Sequence, residues 1–167
     1  MLKRDRNTIG IFARLLDFIY PSVCEVCQIP LTHGYSLCKN CRSELPKIIS
    51  PFCKKCGEPF DGKINDKFRC QNCDGLKVDF SFARASLKGL TLSFRLVHGL
   101  KYQRQFFLAR ELALFLKETL EEDPRFDEFK SAVLVPVPLF WRREQWRQGN
   151  QAYELSRELS RLSGHET

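Results

Sequence analysis

The chain lacks any segment able to cross a lipid bilayer. Its longest apolar run, residues 132–140, is nine residues long and holds two prolines, against about 20 apolar residues for a spanning helix. An export signal is missing as well. The first twenty residues, MLKRDRNTIGIFARLLDFIY, run basic and then apolar, but Arg14 and Asp17 interrupt the apolar part and no small-residue cleavage site follows. Nucleophilic machinery is also absent: the three histidines, His33, His98 and His165, are scattered, and the carboxylates at 121–123 have no visible acid/base partner. There is no low-complexity tract, and only one methionine in 167 residues. The expectation is a cytoplasmic globular protein that opens with an amphipathic helix over residues 1–22.

Cysteine is what the chain has in excess. Eight cysteines form four identical pairs, Cys24-x-x-Cys27, Cys38-x-x-Cys41, Cys53-x-x-Cys56 and Cys70-x-x-Cys73, all within one 50-residue stretch. A C-x-x-C turn points two sulfurs at one ion about 2.3 Å away, and two such turns complete a tetrahedron. Disulfides are the rival, but they belong to exported scaffolds. A thioredoxin-type redox motif would occur once and not four times in series, and iron–sulfur ligation is the remaining competitor. The spacing predicts two structural zinc ions in closed four-thiolate sites over residues 23–76. Sequential pairing (Cys24, Cys27, Cys38 and Cys41 at one ion; Cys53, Cys56, Cys70 and Cys73 at the other) closes shorter loops than a crossed pairing, and both remain open on sequence alone. Gly57, directly after Cys56, suits the left-handed position a knuckle needs, whereas Gln28 at the equivalent place tolerates it less well.

Zinc changes the charge argument. Lys+Arg number 27 and Asp+Glu 20, a formal +7. Eight thiolates and two divalent ions reduce that to about +3, so basicity alone argues weakly for nucleic acid. The charge is uneven: residues 77–110 carry seven basic groups against one acidic, and residues 111–131 carry seven acidic against three basic.

Residues 77–167 are expected to be α/β. DFSFARASL, residues 79–87, alternates as a strand does. Leu92, Leu96, Val97 and Leu100 share a helical face, and residues 106–120 hold a stronger helix whose acidic end, Glu121 to Asp123, opposes the helix dipole and predicts fraying. AVLVPV, residues 132–137, reads as a strand buried on both faces. Residues 150–163 form a last helix with Gly164 just past its end.

Between that second strand and the last helix lie Arg142, Arg143, Arg147 and Gly149. A buried strand, a turn with three arginines and a glycine, and a helix N-terminus make a candidate anion site, since free N–H groups and bidentate arginines favour phosphate.

Four C-x-x-C pairs, then HGLKY (98–102), VPVPL (135–139) and WRQGNQA (146–152), resemble the ComF family, also called ComF/GntX. The resemblance runs from about residue 15 to the last. It implies a double zinc ribbon followed by a type I phosphoribosyltransferase-like parallel-sheet domain, and a role in DNA uptake during natural transformation, with single-stranded DNA and the uptake machinery at the inner membrane as partners. It also assigns the candidate phosphate site: Lys101 and Tyr102 at the basic-aromatic dipeptide, Arg142 and Arg143 beside the pyrophosphate-side loop, and Arg147, Gly149, Asn150 and Gln151 at the Arg-x-Gly-Phe-Asn-Gln signature. This chain has no aromatic residue between Gly149 and Asn150. No acidic pair followed by a Thr/Gly-rich cradle occurs before Thr167. The expectation is therefore an incomplete parallel sheet of marginal stability, inactive alone. Such a chain would bind phosphoribosyl diphosphate poorly, and magnesium would accompany that ligand only in a full-length form. The alternative is a zinc-ribbon module for nucleic acid or protein without nucleotide chemistry, motivated by Lys54, Lys55, Lys63, Lys67 and Arg69 around the second ribbon.

Overall fold

The computed structural model describes residues 22–31, 35–62, 70–77 and 79–167. The expected helix over residues 1–22 lies outside them, apart from Ser22 at its edge. The chain divides into two compact units, Met1–Glu44 and Leu45–Thr167, and no helix among the described residues is long and apolar enough to cross a membrane.

In the first unit the Cys24–Cys27 turn is closed by Cys24 N–H to Ile29 O at 2.9 Å and Gln28 N–H to Cys24 O at 2.8 Å. A bridge joins Val23 to Pro30. Helix α1, Lys39–Ser43, starts at Cys38, whose sulfur accepts from Cys41 N–H at 3.3 Å. The thiol thus does the work that a serine or aspartate oxygen does at an ordinary helix start.

The second unit repeats that turn 29 residues later. Cys53 N–H bonds Glu58 O and Gly57 N–H bonds Cys53 O, both at 2.8 Å, and Phe52 bridges Pro59. The rest of the unit is helical. Helix α2 spans Thr91–Tyr102 and α3 Leu108–Glu122, followed by a 3-10 helix, Pro124–Phe129. Helix α4 covers Trp141–Arg147 and α5 Gln151–Ser163. Leu108, Leu112 and Phe115 repeat at helical spacing on α3 and are buried, with Leu96 and Leu100 of α2 and Leu159 of α5 in the same core. Helix α5 begins at Asn150, whose side chain accepts from Ala152 N–H at 2.9 Å, and ends at Gly164 in the left-handed conformation.

The sequence expectations for strands are corrected here. Among the described residues no sheet forms; there are isolated bridges only. Residues 79–87 are irregular, with bends at Phe80, Ser81 and Ser86 and a single bridge, Lys47 to Leu87. The cause is competition: Ala83 N–H goes to Lys55 O at 2.7 Å, so the segment wraps the second knuckle instead of pairing in a ladder. Residues 132–137 are extended but unpaired. Ala132, Leu134 and Pro136 are half-buried, whereas Val133, Val135 and Val137 are 55, 81 and 74 % exposed. One face of the expected strand is thus covered and the other open, with Leu134 N–H satisfied by Glu166 O at 2.8 Å.

Two further expectations change. The acidic end of α3 does not fray: the helix runs to Glu122, and Asp123 is buried against arginines. The supposed arginine turn is helix α4, closed by Gln148 in the left-handed conformation.

Candidate metal centres and phosphate-facing cluster

The sulfurs of Cys24, Cys27, Cys38 and Cys41 lie within 4.8 Å of one another, and so do those of Cys53, Cys56, Cys70 and Cys73. The pairing is sequential. Cys27 Sγ is 3.7 Å from Cys38 Sγ, and Cys56 Sγ is 3.4 Å from Cys70 Sγ. A tetrahedron with arms of about 2.3 Å has edges of about 3.8 Å, whereas a disulfide would bring sulfurs to about 2.05 Å. All eight cysteines are unbridged. The donor set is the one zinc takes, and each site has four ligands with no open position.

Local backbone prepares the thiolates. Burial works against the charged form of Cys24, but N–H groups of Cys27, Cys38 and Val26 outweigh it and lower the thiol to about 6. At Cys53, burial is likewise outweighed, here by N–H groups of Cys56, Cys70 and Lys55, again giving about 6. The last thiols of each set go the other way. Burial and then hydrogen bonding with the neighbouring sulfurs push Cys73 up to about 12 and raise Cys41 well above the ordinary thiol range. Four sulfurs this close cannot all ionise unaided, and a divalent cation removes the conflict. Phe60 packs against the second set.

The candidate phosphate residues divide. Arg147 Nη2 donates to Tyr102 Oη at 3.3 Å and Nη1 to Gln151 Oε1 at 3.1 Å, and Gln151 Nε2 donates to Gly149 O at 3.0 Å. The guanidinium lies 4.9 Å from the Tyr102 ring centre, which Trp146 and His98 flank at 6.2 and 4.8 Å. Asn150 stands beside this group and donates to Val137 O at 3.1 Å, pinning the extended segment to the start of α5. Lys101, Arg142 and Arg143 are exposed and make no hydrogen bond to the cluster among the described residues; Arg142 lies instead over Trp141.

Sequence reasoning missed Asp123. Its carboxylate is held between Arg125 and Arg84, the nearest approaches being 2.6 and 3.5 Å. The Arg125 hydrogen bond keeps the acid below its ordinary range despite burial, and Asp123 in turn raises Arg125. Burial lowers Arg84, outweighing the same carboxylate. The signal in the sequence was an arginine, Arg84, in an otherwise small and apolar run. Beside it lies a groove of about 930 Å³, with Phe82, Phe126 and Leu134 among its apolar walls and Arg84 and Lys117 among its charged ones. No member of the Tyr102–Arg147–Gln151 cluster lines it.

Two closed four-cysteine centres on repeated knuckles define a double zinc ribbon protein, and residues 15–74 match the double zinc ribbon domain family. The chain is 33 % identical over 129 residues to Competence protein F of Haemophilus influenzae, covering 75 % of this chain and 53 % of that protein. It is 30 % identical over 149 residues to DNA utilization protein YhgH of Salmonella typhimurium, covering 86 % of this chain and 63 % of that protein. The chain thus carries a double zinc ribbon and is similar over most of its length to these two proteins. It spans between about half and two thirds of the length of these curated relatives. No solved structure matches it significantly.

Proposed function

We propose that the protein serves competence, acting in the cytoplasm in the uptake or use of DNA, with a zinc-built front and a phosphoribosyltransferase-like region behind it. The observation that carries this reading is the similarity to Competence protein F, which extends over three quarters of the chain and therefore well beyond the cysteines.

Two features support the phosphoribosyltransferase-like part. The valine face at residues 133, 135 and 137 has the apolar character of a strand that belongs between layers. The Tyr102–Arg147–Gln151 cluster joins two motifs 45 residues apart in the chain. Arg147 Nε is buried without a hydrogen-bond partner, so the cluster retains donor capacity for an anion. The reading as a ribbon module without nucleotide chemistry gains less. Lys55 donates to the Phe80 and Ser81 carbonyls, while Lys63, Lys67 and Arg69 lie outside the described residues.

Complementation tests the functional reading. A Haemophilus influenzae strain lacking Competence protein F should regain part of its transformation frequency when this chain is expressed, and should not regain it with Cys53→Ser. No recovery with properly folded, zinc-loaded protein would reject the proposal for this chain. Trp146 fluorescence during titration with phosphoribosyl diphosphate and magnesium tests the site. Binding that Arg147→Ala leaves unchanged would remove Arg147 from it.

A further inference from the structure

We infer that the two zinc centres have different jobs, and that the second is a metal-dependent keystone for the wall of the 930 Å³ groove. The inference rests on the zinc reading of the cysteines and is independent of the proposed function.

The two knuckles share one backbone turn, so any difference between them lies in what they touch. At the left-handed position of the first knuckle stands Gln28, with φ 60° and exposed. At the same position of the second stands Gly57, with φ 77°, and a Cβ there would lie 2.9 Å from Ala83 O and 3.2 Å from Arg84 Cα. The second knuckle is pressed against residues 83 and 84. Only glycine fits, for space as well as for conformation.

The loop between Cys53 and Cys56 also supplies the hydrogen bonds that hold this wall. Lys55 O accepts from Ala83 N–H at 2.7 Å and Lys54 O from Arg125 Nη1 at 2.6 Å. The Lys55 ammonium donates back to the Phe80 and Ser81 carbonyls. Phe52, the residue before Cys53, lies 3.9 Å beneath the Arg84 guanidinium and 5.6 Å from that of Arg125. Arg125 also stacks on Phe82 at 4.3 Å. Phe82 and Arg84 line the groove.

The chain of cause is therefore short. The ion fixes the directions of the Cys53–Cys56 carbonyls, those carbonyls fix Ala83 and Arg125, and these fix Phe82 and Arg84. When the ion leaves, the loop loses its shape, and the Ala83 N–H and the Arg125 guanidinium lose the Lys55 and Lys54 carbonyls that accept from them. The groove wall then loosens while the first unit keeps its own metal.

Hydrogen exchange by mass spectrometry on the full chain tests this, with zinc per chain counted in parallel. Emptying the second site with Cys53→Ser and Cys56→Ser should speed exchange in residues 80–88 at least tenfold and halve the zinc content. Cys24→Ser with Cys27→Ser should also halve the zinc but leave residues 80–88 protected. Arg125→Ala, which touches no ligand, should keep both ions and still speed exchange in residues 80–88, and this holds the test open should the double serine variant fail to fold. Unchanged protection of residues 80–88 in Arg125→Ala, or equal loss of protection on emptying either site, would overturn the inference.

Discussion

Asp123 and Arg125 meet in a two-point fork, Nε to Oδ1 at 2.9 Å and Nη2 to Oδ2 at 2.6 Å. The same aspartate accepts from Arg125 N–H at 3.2 Å and so also starts the 3-10 helix. A single buried side chain thereby ends α3, begins the next turn and neutralises Arg84. An acidic helix end that would be unfavourable in water becomes an anchor once two guanidinium groups stand beside it.

Replacing Asp123 with alanine leaves Arg84 buried without its counter-charge, and we expect a loss of about 3 kcal/mol in urea unfolding. The pH dependence has a defined sign. The folded carboxyl titrates below the ordinary value, so the native state holds fewer protons than the unfolded chain. The stabilisation is complete above the unfolded carboxylate range, near pH 4, and is lost as pH falls through the folded value. Urea midpoints measured from pH 7 down to pH 2.5 should show a smaller acid decline in Asp123→Asn than in the parent. An unchanged acid limb would assign the decline to other groups.

The legible part of this molecule was local. C-x-x-C spacing is a statement about one turn, and both turns and both four-sulfur sets form as the spacing requires, with Gln28 and Gly57 both left-handed. Leu92–Leu100 and Leu108–Leu120 carried helical periodicity strong enough to place α2 and α3. The strands expected at 79–87, from alternation, and at 132–137, from an unbroken apolar run, were illegible because either pattern states only that a segment can be extended. Whether it joins a sheet depends on neighbours, and here Lys55 O captured Ala83 while residues 132–137 found no ladder partner among the described residues. Arg147 was found from the run of arginines before a helix start and Gln151 from motif resemblance, but their meeting with Tyr102 is a tertiary fact that no local pattern encodes.

Zinc uptake should release protons. In the metal-free clusters Cys27, Cys41, Cys56 and Cys73 all have raised thiol values, so at pH 7 at least four protons per chain must leave as two ions bind. Calorimetry in buffers of different ionisation enthalpy measures that number. Affinity should fall as pH drops, since protons compete for the same sulfurs. Release of fewer than four protons would mean that some of these thiolates are already formed without metal.

Gly57→Ala and Gln28→Gly are a matched pair at one backbone position. The first adds a Cβ against the Ala83 carbonyl in a left-handed residue, and we expect a loss of about 2 kcal/mol. The second relieves a left-handed non-glycine residue on an exposed turn, and should be neutral or stabilising by about 0.5 kcal/mol. Thermal unfolding monitored by circular dichroism gives both. A Gly57→Ala variant as stable as the parent would show that residues 83 and 84 yield without cost.

Val135 is the most exposed of the three valines on its face, and its substitution distinguishes a strand that is covered from one that is not. A lysine at a position already open to water costs little, so Val135→Lys should shift stability by no more than about 0.5 kcal/mol. It should also interrupt a contiguous apolar surface, lowering the binding of a hydrophobic fluorescent dye and the self-association seen by light scattering. If this face were instead packed between layers in solution, a buried ammonium there would be severely destabilising. A loss of several kcal/mol in Val135→Lys would then mean that another surface covers these valines, and the dye would bind the parent no better than the variant.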